Sequence, residues 1–251
     1  MNPQLHRFIL AIVLASATQF VQAQTNTNAV AHNNTALIPV QRPETNAQRR
    51  TEIVLQRAKD NPGECDIVFI GDSITQGWEG RTITNVWQKY YGHRKTLNFG
   101  VGGDRTQHVL WRFENGQLDG LKPKVAVLLI GTNNSNTNKI DNTEGEILEG
   151  VTAILKQIRT RLPDTKIILV AIFPRGKTFS VQRGKILEVN EALAKLDDGK
   201  MIRYIDFGPQ LIEADGSISP SIMRDFLHLT EAGYGIWAAA MEPTLKEWLG
   251  K

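Results

Sequence analysis

Short apolar runs alternate with segments of helical period along most of this chain. The runs at 67–70, 96–99, 125–130, 167–172 and 201–205 have strand length, and the middle ones are apolar on both faces. That is the pattern of strands in a parallel sheet covered on both sides. Between them the apolar positions recur every three to four residues. Ile147, Leu148, Val151, Ile154, Leu155, Ile158 and Leu162 share one helical face, and Thr143 and Glu146 precede it at capping-box spacing. Ile186, Val189, Leu193 and Leu196 form a second face, and Tyr234, Trp237, Ala238, Met241, Leu245, Trp248 and Leu249 a third, whose aromatics sit at core spacing. Strands alternating with helices at these lengths predict a three-layer α/β/α sandwich around a doubly wound parallel sheet.

The chain has 251 residues, of which 41% are hydrophobic and 22% charged. This is ordinary globular composition, enough for one core without disulfides or metal staples. The net charge of +3 is dispersed, with no basic block of the kind that grips nucleic acid. The single cysteine, Cys65, cannot form an internal disulfide and reads as a buried thiol before the first strand.

Residues 1–23 follow the layout of a cleaved secretory leader: Arg7 ahead of an apolar run at 8–17, then Val21-Gln22-Ala23. The run is too short to span a bilayer comfortably. The expected organisation is therefore a signal peptide over 1–23 cleaved after Ala23, an Asn/Thr-rich tether of little order over 24–46, and a folded domain over 47–251. Folded character is expected from an amphipathic stretch at 51–59. A secreted or periplasmic protein without stable membrane insertion is implied.

In doubly wound sheets the ligand site lies beyond the carboxyl ends of the strands. The first run is followed by Gly71-Asp72-Ser73-Ile74-Thr75. A serine here is either an exposed nucleophile at a strand-to-helix turn or a plain helix N-cap, and this segment alone does not separate the two. The second run leads into Gly100-Val101-Gly102-Gly103-Asp104. Closely spaced glycines let backbone N–H groups approach an anion, but the dinucleotide fingerprint is incomplete at Thr106 and no P-loop lysine follows. The third run ends in Gly131-Thr132-Asn133-Asn134, where an amide can donate to an oxyanion or simply serve a turn. Near the C-terminus, Asp225 and His228 stand three apart just before the last helix. A metal pair is the rival reading of that spacing, but no further His, Cys or carboxylate cluster supplies a third ligand. His93 and His108 read as surface or packing residues.

The four motifs GDS, GVGGD, GTNN and DFLH, in this order, resemble the GDSL or SGNH hydrolase superfamily from about Cys65 to the C-terminus. NFGVGGDRTQHVLWRFENGQL and DFLHLTEAGY are similar to the catalytic subunits of intracellular platelet-activating-factor acetylhydrolases and their bacterial relatives. The resemblance implies a flavodoxin-like five-stranded sheet and a serine esterase. It assigns Ser73 as nucleophile, His228 as base and Asp225 as the residue orienting that base. It places the oxyanion among the N–H groups of Ser73 and Gly103 and the Asn133 amide. It also implies dimers as one arrangement of the chain. Asn134 stands where many superfamily members carry Asp, a feature shared with the acetylhydrolase-like branch. No metal or organic cofactor is called for.

Ile74, Thr132 and Leu227 each adjoin a proposed catalytic residue and are expected to close a small acyl pocket suited to acetyl and other short groups. The leader and tether are foreign to the intracellular subunits, so deacetylation of a carbohydrate ester is the expected activity. A phospholipid or lysophospholipid acyl hydrolase is the alternative enzyme. A non-catalytic carbohydrate-binding protein is the alternative outside enzymes, and the intact set of Ser73, Asn133, Asp225 and His228 argues against it.

Overall fold

A computed structural model describes residues 33–136 and 142–250. Five parallel strands form one sheet: β1 (Gly63–Gly71), β2 (Thr96–Gly100), β3 (Leu121–Leu129), β4 (Lys166–Val170) and β5 (Ile202–Ile205). Their order is β2-β1-β3-β4-β5, the flavodoxin-like order, with β1 between β2 and β3 where the strand order switches direction. Ile70 pairs with Phe99 on one side and Leu128 on the other, which brings the three carboxyl ends into line. β1 and β3 extend further back than their apolar runs, because Gly63 to Cys65 pairs with Leu121 to Pro123 and that half of β3 alternates buried and exposed residues.

The strands point alternate side chains to two cores. Val68, Ile70, Ala126 and Leu128 face a layer built by α1 (Thr45–Asp60), α4 (Thr106–Glu114), α5 (Glu144–Arg161) and α6 (Val181–Leu193). Ile67, Phe69, Val125, Val127 and Leu129 face α2 (Ser73–Gln76), α3 (Thr84–Tyr91) and α7 (Glu231–Leu249). This is the expected three-layer sandwich. The expected box at α5 is present: Thr143 Oγ1 accepts the Glu146 N–H at 3.2 Å and Glu146 Oε2 accepts the Thr143 N–H at 2.8 Å. α3 and α4 did not stand out in the periodicity. Both are short, and α4 buries the polar Gln107 and Arg112 together with its apolar residues.

The second core is aromatic. Phe69 makes edge contacts with Tyr91 and Trp237, and Trp78 packs against Tyr234 at 4.5 Å between ring centroids. Tyr234 and Trp237 are buried, so the C-terminal aromatics pack as expected. Each such side chain contributes on the order of 1.5–3 kcal/mol by burial. Their position has a functional consequence, since they clamp α2, which begins at Ser73, to α7, which follows His228.

The tether differs from expectation in its described part. Residues 34–46 pack on the domain: Ala36 is fully buried, its carbonyl accepts the Thr106 hydroxyl at 2.8 Å, and Asn34 Nδ2 donates to Glu149 at 2.7 Å. α1 begins at Thr45, inside the segment read as tether. Low hydropathy misled here, because this segment is held by polar side chains meeting polar partners rather than by an apolar face. Residues 1–32, on which the expected leader and the start of the tether fall, lie outside the described residues. No helix among the described residues is long and apolar enough to cross a membrane.

Candidate active site

The structure brings Ser73, His228 and Asp225 together at the carboxyl edge of the sheet. Ser73 Oγ lies 2.9 Å from His228 Nε2, and His228 Nδ1 lies 2.7 Å from Asp225 Oδ2. Each residue is placed by a local device. Ser73 opens α2 directly after β1, and the side chain of Asp72 caps that helix by accepting the Ile74 N–H at 2.9 Å. The capping reading of Ser73 therefore falls to its neighbour. Gly71 is obligatory at the turn: a Cβ there would meet Thr75 Oγ1 at 2.2 Å and the Leu129 carbonyl at 2.3 Å. From α7, the Tyr234 hydroxyl donates to the Ile74 carbonyl at 2.6 Å and braces the same helix.

Asp225 and His228 are joined by a tight loop. Asp225 Oδ1 accepts the backbone N–H groups of Leu227 and His228 at 3.2 and 2.7 Å. Phe226 between them has φ +60°, the one non-glycine with positive φ among the described residues. That conformation costs about 1–3 kcal/mol and persists only where surroundings fix it. Here the Phe226 carbonyl accepts the Gly176 N–H at 2.8 Å. Burial pushes the Asp225 carboxyl up, but hydrogen bonds from the His228 ring and backbone outweigh it and leave the group below its ordinary range.

Beside Ser73 stands the loop after β2. Its backbone donors are accounted for one by one: Gly100 N–H to Asn98 Oδ1, Val101 N–H to the Gly71 carbonyl, Gly102 N–H to Gln76 Oε1 and Asp104 N–H to the Val101 carbonyl. The Gly103 N–H donates to none of the described residues, and the same holds for the Ser73 N–H. Gly103 has φ +77°, where a side chain would be strained. The loop is fixed beneath by a fully buried ion pair between Asp104 and Arg112.

The loop after β3 supplies Asn133, whose Nδ2 donates to the Asp104 carbonyl at 2.9 Å and approaches Asp72 Oδ2 at 3.5 Å. Asn134 faces the other way. It is buried, with Nδ2 near Gln107 Oε1 (3.1 Å) and Asn142 Oδ1 (3.0 Å), and Oδ1 accepting the Thr106 N–H at 3.0 Å. A carboxylate could not donate to those oxygens, which explains an amide rather than an acid at this position.

The acyl-pocket expectation needs correction. Ile74 is 1% exposed and packs in the aromatic core, because α2 turns that residue inward. Thr132 is 3% exposed, with its hydroxyl and carbonyl engaged by Arg175 Nη1 at 3.2 Å. Leu227 is half-buried against the second core. Burial withdraws Ile74 and Thr132 as pocket walls. Reasoning from sequence also passed over Asp72, Gln76, Arg175 and Tyr234, which hold the site together. Asp72 precedes Ser73 and could have been found by asking what caps the helix. His93 is exposed. His108 is largely buried, with its Nδ1 accepting the Arg105 N–H at 2.9 Å. No group of three or more His, Cys, Asp or Glu among the described residues could hold a metal.

The family model described as GDSL-like lipase/acylhydrolase matches residues 69–236, which span every motif of the site. The chain belongs to this family. It is an ester hydrolase of the platelet-activating-factor acetylhydrolase-like branch. It is 41% identical over 172 residues to platelet-activating factor acetylhydrolase IB subunit alpha2 of Rattus norvegicus, covering 68% of this chain and 72% of the rat protein. The human alpha1 subunit is 37% identical over 172 residues, with 68% and 71% covered. Solved structures share the fold. A GDSL-like lipase from Bacteroides thetaiotaomicron superposes with a TM-score of 0.61 at 21% identity, covering 80% of this chain and 98% of the other. The acetyl xylan esterase AlAXEase does so at 0.59 and 23% identity, covering 71% and 98%.

Proposed function

We propose that this hydrolase removes short acyl groups, above all acetyl, from carbohydrate esters outside the cytoplasm, with Ser73, His228 and Asp225 as its triad. The observation that carries the triad is the unbroken line Ser73 Oγ to His228 Nε2 to Asp225 Oδ2, at 2.9 and 2.7 Å. Asp225 holds the proton of His228 on Nδ1, which leaves Nε2 as the acceptor facing the hydroxyl.

The Ser73 hydroxyl attacks the ester carbonyl as its proton passes to His228 Nε2. The carbonyl oxygen becomes an oxyanion, met by the unengaged N–H groups of Ser73 and Gly103 and by the Asn133 amide. The amide keeps one N–H on the Asp104 carbonyl, and its other N–H, only 3.5 Å from Asp72, turns to the oxyanion. The C–O bond to the alcohol breaks and His228 returns the proton to the departing oxygen. Water, deprotonated by His228, then opens the acyl-Ser73 ester and releases the acid. Asp225 stays ionised throughout and stabilises the imidazolium.

Preference for acetyl is supported by the similarity to the two acetylhydrolase subunits. Location outside the cytoplasm is supported by the leader pattern over residues 1–23. The phospholipid reading is favoured by the same relatives and is the second reading. Labelling of Ser73 by a fluorophosphonate, and loss of acetate release in Ser73→Ala, test the triad. Acetate release from acetylated xylan, pectin, peptidoglycan and an acetyl phospholipid decides the alcohol. Release from the phospholipid alone would overturn the carbohydrate reading. N-terminal sequencing of the exported protein should begin at Gln24.

A further inference from the structure

The segment ahead of α1 does more than lie on the domain. Residues 34–44 fall outside the stretch matched to the family, yet they reach the loop of Gly103. Arg42 donates from Nη1 to the Gly102 carbonyl at 3.1 Å and from Nε to Glu44 at 2.7 Å. Its guanidinium covers Gly103 so closely that a Cβ there would lie 2.6 Å from Nη1. Gly102 in turn borders the nucleophile, since a Cβ on it would lie 3.8 Å from Ser73 Cβ. The strap is fixed along its length. Ala36 is buried under the Thr106 hydroxyl, the Val40 N–H donates to the Gln107 carbonyl, and the Gln48 amide donates to the Arg42 carbonyl.

A trough of about 510 Å³ runs here, lined by residues 40–44, by Gly103 and Asn133, and by His108 and Asn136. Two of the three oxyanion donors, Gly103 and Asn133, thus open onto the strap. We propose that this trough is the alcohol subsite, that it receives a hydroxyl-rich alcohol of the sugar class, and that Arg42 holds that alcohol. The proposal rests on the reading of Ser73 as nucleophile.

The chemistry of the walls selects the ligand. Arg42 has no hydrogen-bond partner for Nη2 among the described residues, and its side chain is only 16% exposed, so the fork is pre-set. Glu44 is an acceptor: its hydrogen bond to Arg42 holds the carboxyl down at about 2. His108 is neutral, pushed down to about 3 by burial and by Arg42 and Arg105. Its Nδ1 accepts the Arg105 N–H, so Nε2 carries the proton and donates. The Gln41 amide offers both roles, and Asn136 offers Nδ2 as a donor, its Oδ1 already accepting from Arg175 and Gln182. Hydroxyl groups donate and accept at once and satisfy such a mixture. An acyl chain would strip water from these groups without replacing it, and a phosphate would meet the Glu44 carboxylate.

The test compares wild type, Arg42→Ala and Arg42→Lys on two esters, 4-nitrophenyl acetate and acetylated xylotriose. Calorimetry then measures acetylated xylotriose on the full chain carrying Ser73→Ala, with and without Arg42→Ala. Arg42→Ala should raise KM for acetylated xylotriose about tenfold and lower its kcat/KM far more than that for 4-nitrophenyl acetate. Binding to the Ser73→Ala chain should weaken by a similar factor, and Arg42→Lys should fall between, having charge without the fork. Equal losses on both esters through kcat, with binding unchanged, would make Arg42 a brace of the oxyanion loop only and overturn the proposal. Wild type active on 4-nitrophenyl acetate but neither hydrolysing nor binding the acetylated sugar would overturn the subsite and leave the esterase standing. Inertness toward both esters, with Ser73 unlabelled by a fluorophosphonate, would remove the triad and the subsite together.

Discussion

Asp72 Oδ1 accepts the Ile74 N–H at 2.9 Å and so caps the helix that Ser73 begins. Because the carboxylate does the capping, the Ser73 hydroxyl is left to pair with His228. The arrangement has an electrostatic consequence. Asp72 is fully buried, and burial pushes its carboxyl up to about 7 against the opposing pull of the Ile74 N–H, His228 and Arg175.

A raised carboxyl favours the folded state most when protonated. Its contribution is complete below pH 3.8, its unfolded value, and is lost as pH rises through about 7. Asp72→Asn keeps the Oδ1 acceptor and removes the titration. Thermal melts across pH 4 to 8 should therefore show a falling component in the wild type that the variant lacks. Parallel melting curves at every pH would count against a buried, titrating Asp72.

Ser73→Ala should abolish acetate release while leaving the melting temperature nearly unchanged, since its hydroxyl contacts only His228. Asp225→Asn should reduce kcat by about 10⁴, because an amide no longer selects the Nδ1-protonated ring. Both are read by steady-state kinetics beside calorimetric melts. Wild-type turnover in either variant would dismiss the triad.

Gly103→Ala forces a side chain onto φ +77° and against Arg42 Nη1, so the N–H must move. Asn133→Ala removes a donor outright. Each should lower kcat by roughly 10²–10³ with little change in KM, as expected for donors that act on the transition state. A pure KM effect would place both in ground-state binding instead.

Asn134→Asp sets a carboxylate against Gln107 Oε1 and Asn142 Oδ1 in a buried site. It should destabilise the fold by about 2 kcal/mol or more in urea denaturation. Since Asn142 also donates to Thr35 Oγ1, proteolysis within residues 34–44 should accelerate in the variant.

The order of apolar runs was enough to specify a doubly wound sheet, because a strand buried on both faces has almost no freedom in its composition. Position after a strand or before the last helix, where the chain must emerge at the sheet edge, singled out Ser73, Asn133, Asp225 and His228 as candidates, and only the resemblance to the GDSL hydrolases gave them roles. Tertiary structure alone decided which serine neighbour does the capping, which N–H in the Gly100 to Asp104 loop goes unengaged, and that Ile74 turns inward while Arg42 arrives from sixty residues upstream. Those are matters of distance between segments far apart in the chain. Polar packing of the kind that fastens residues 34–44 carries no periodicity for a sequence to display.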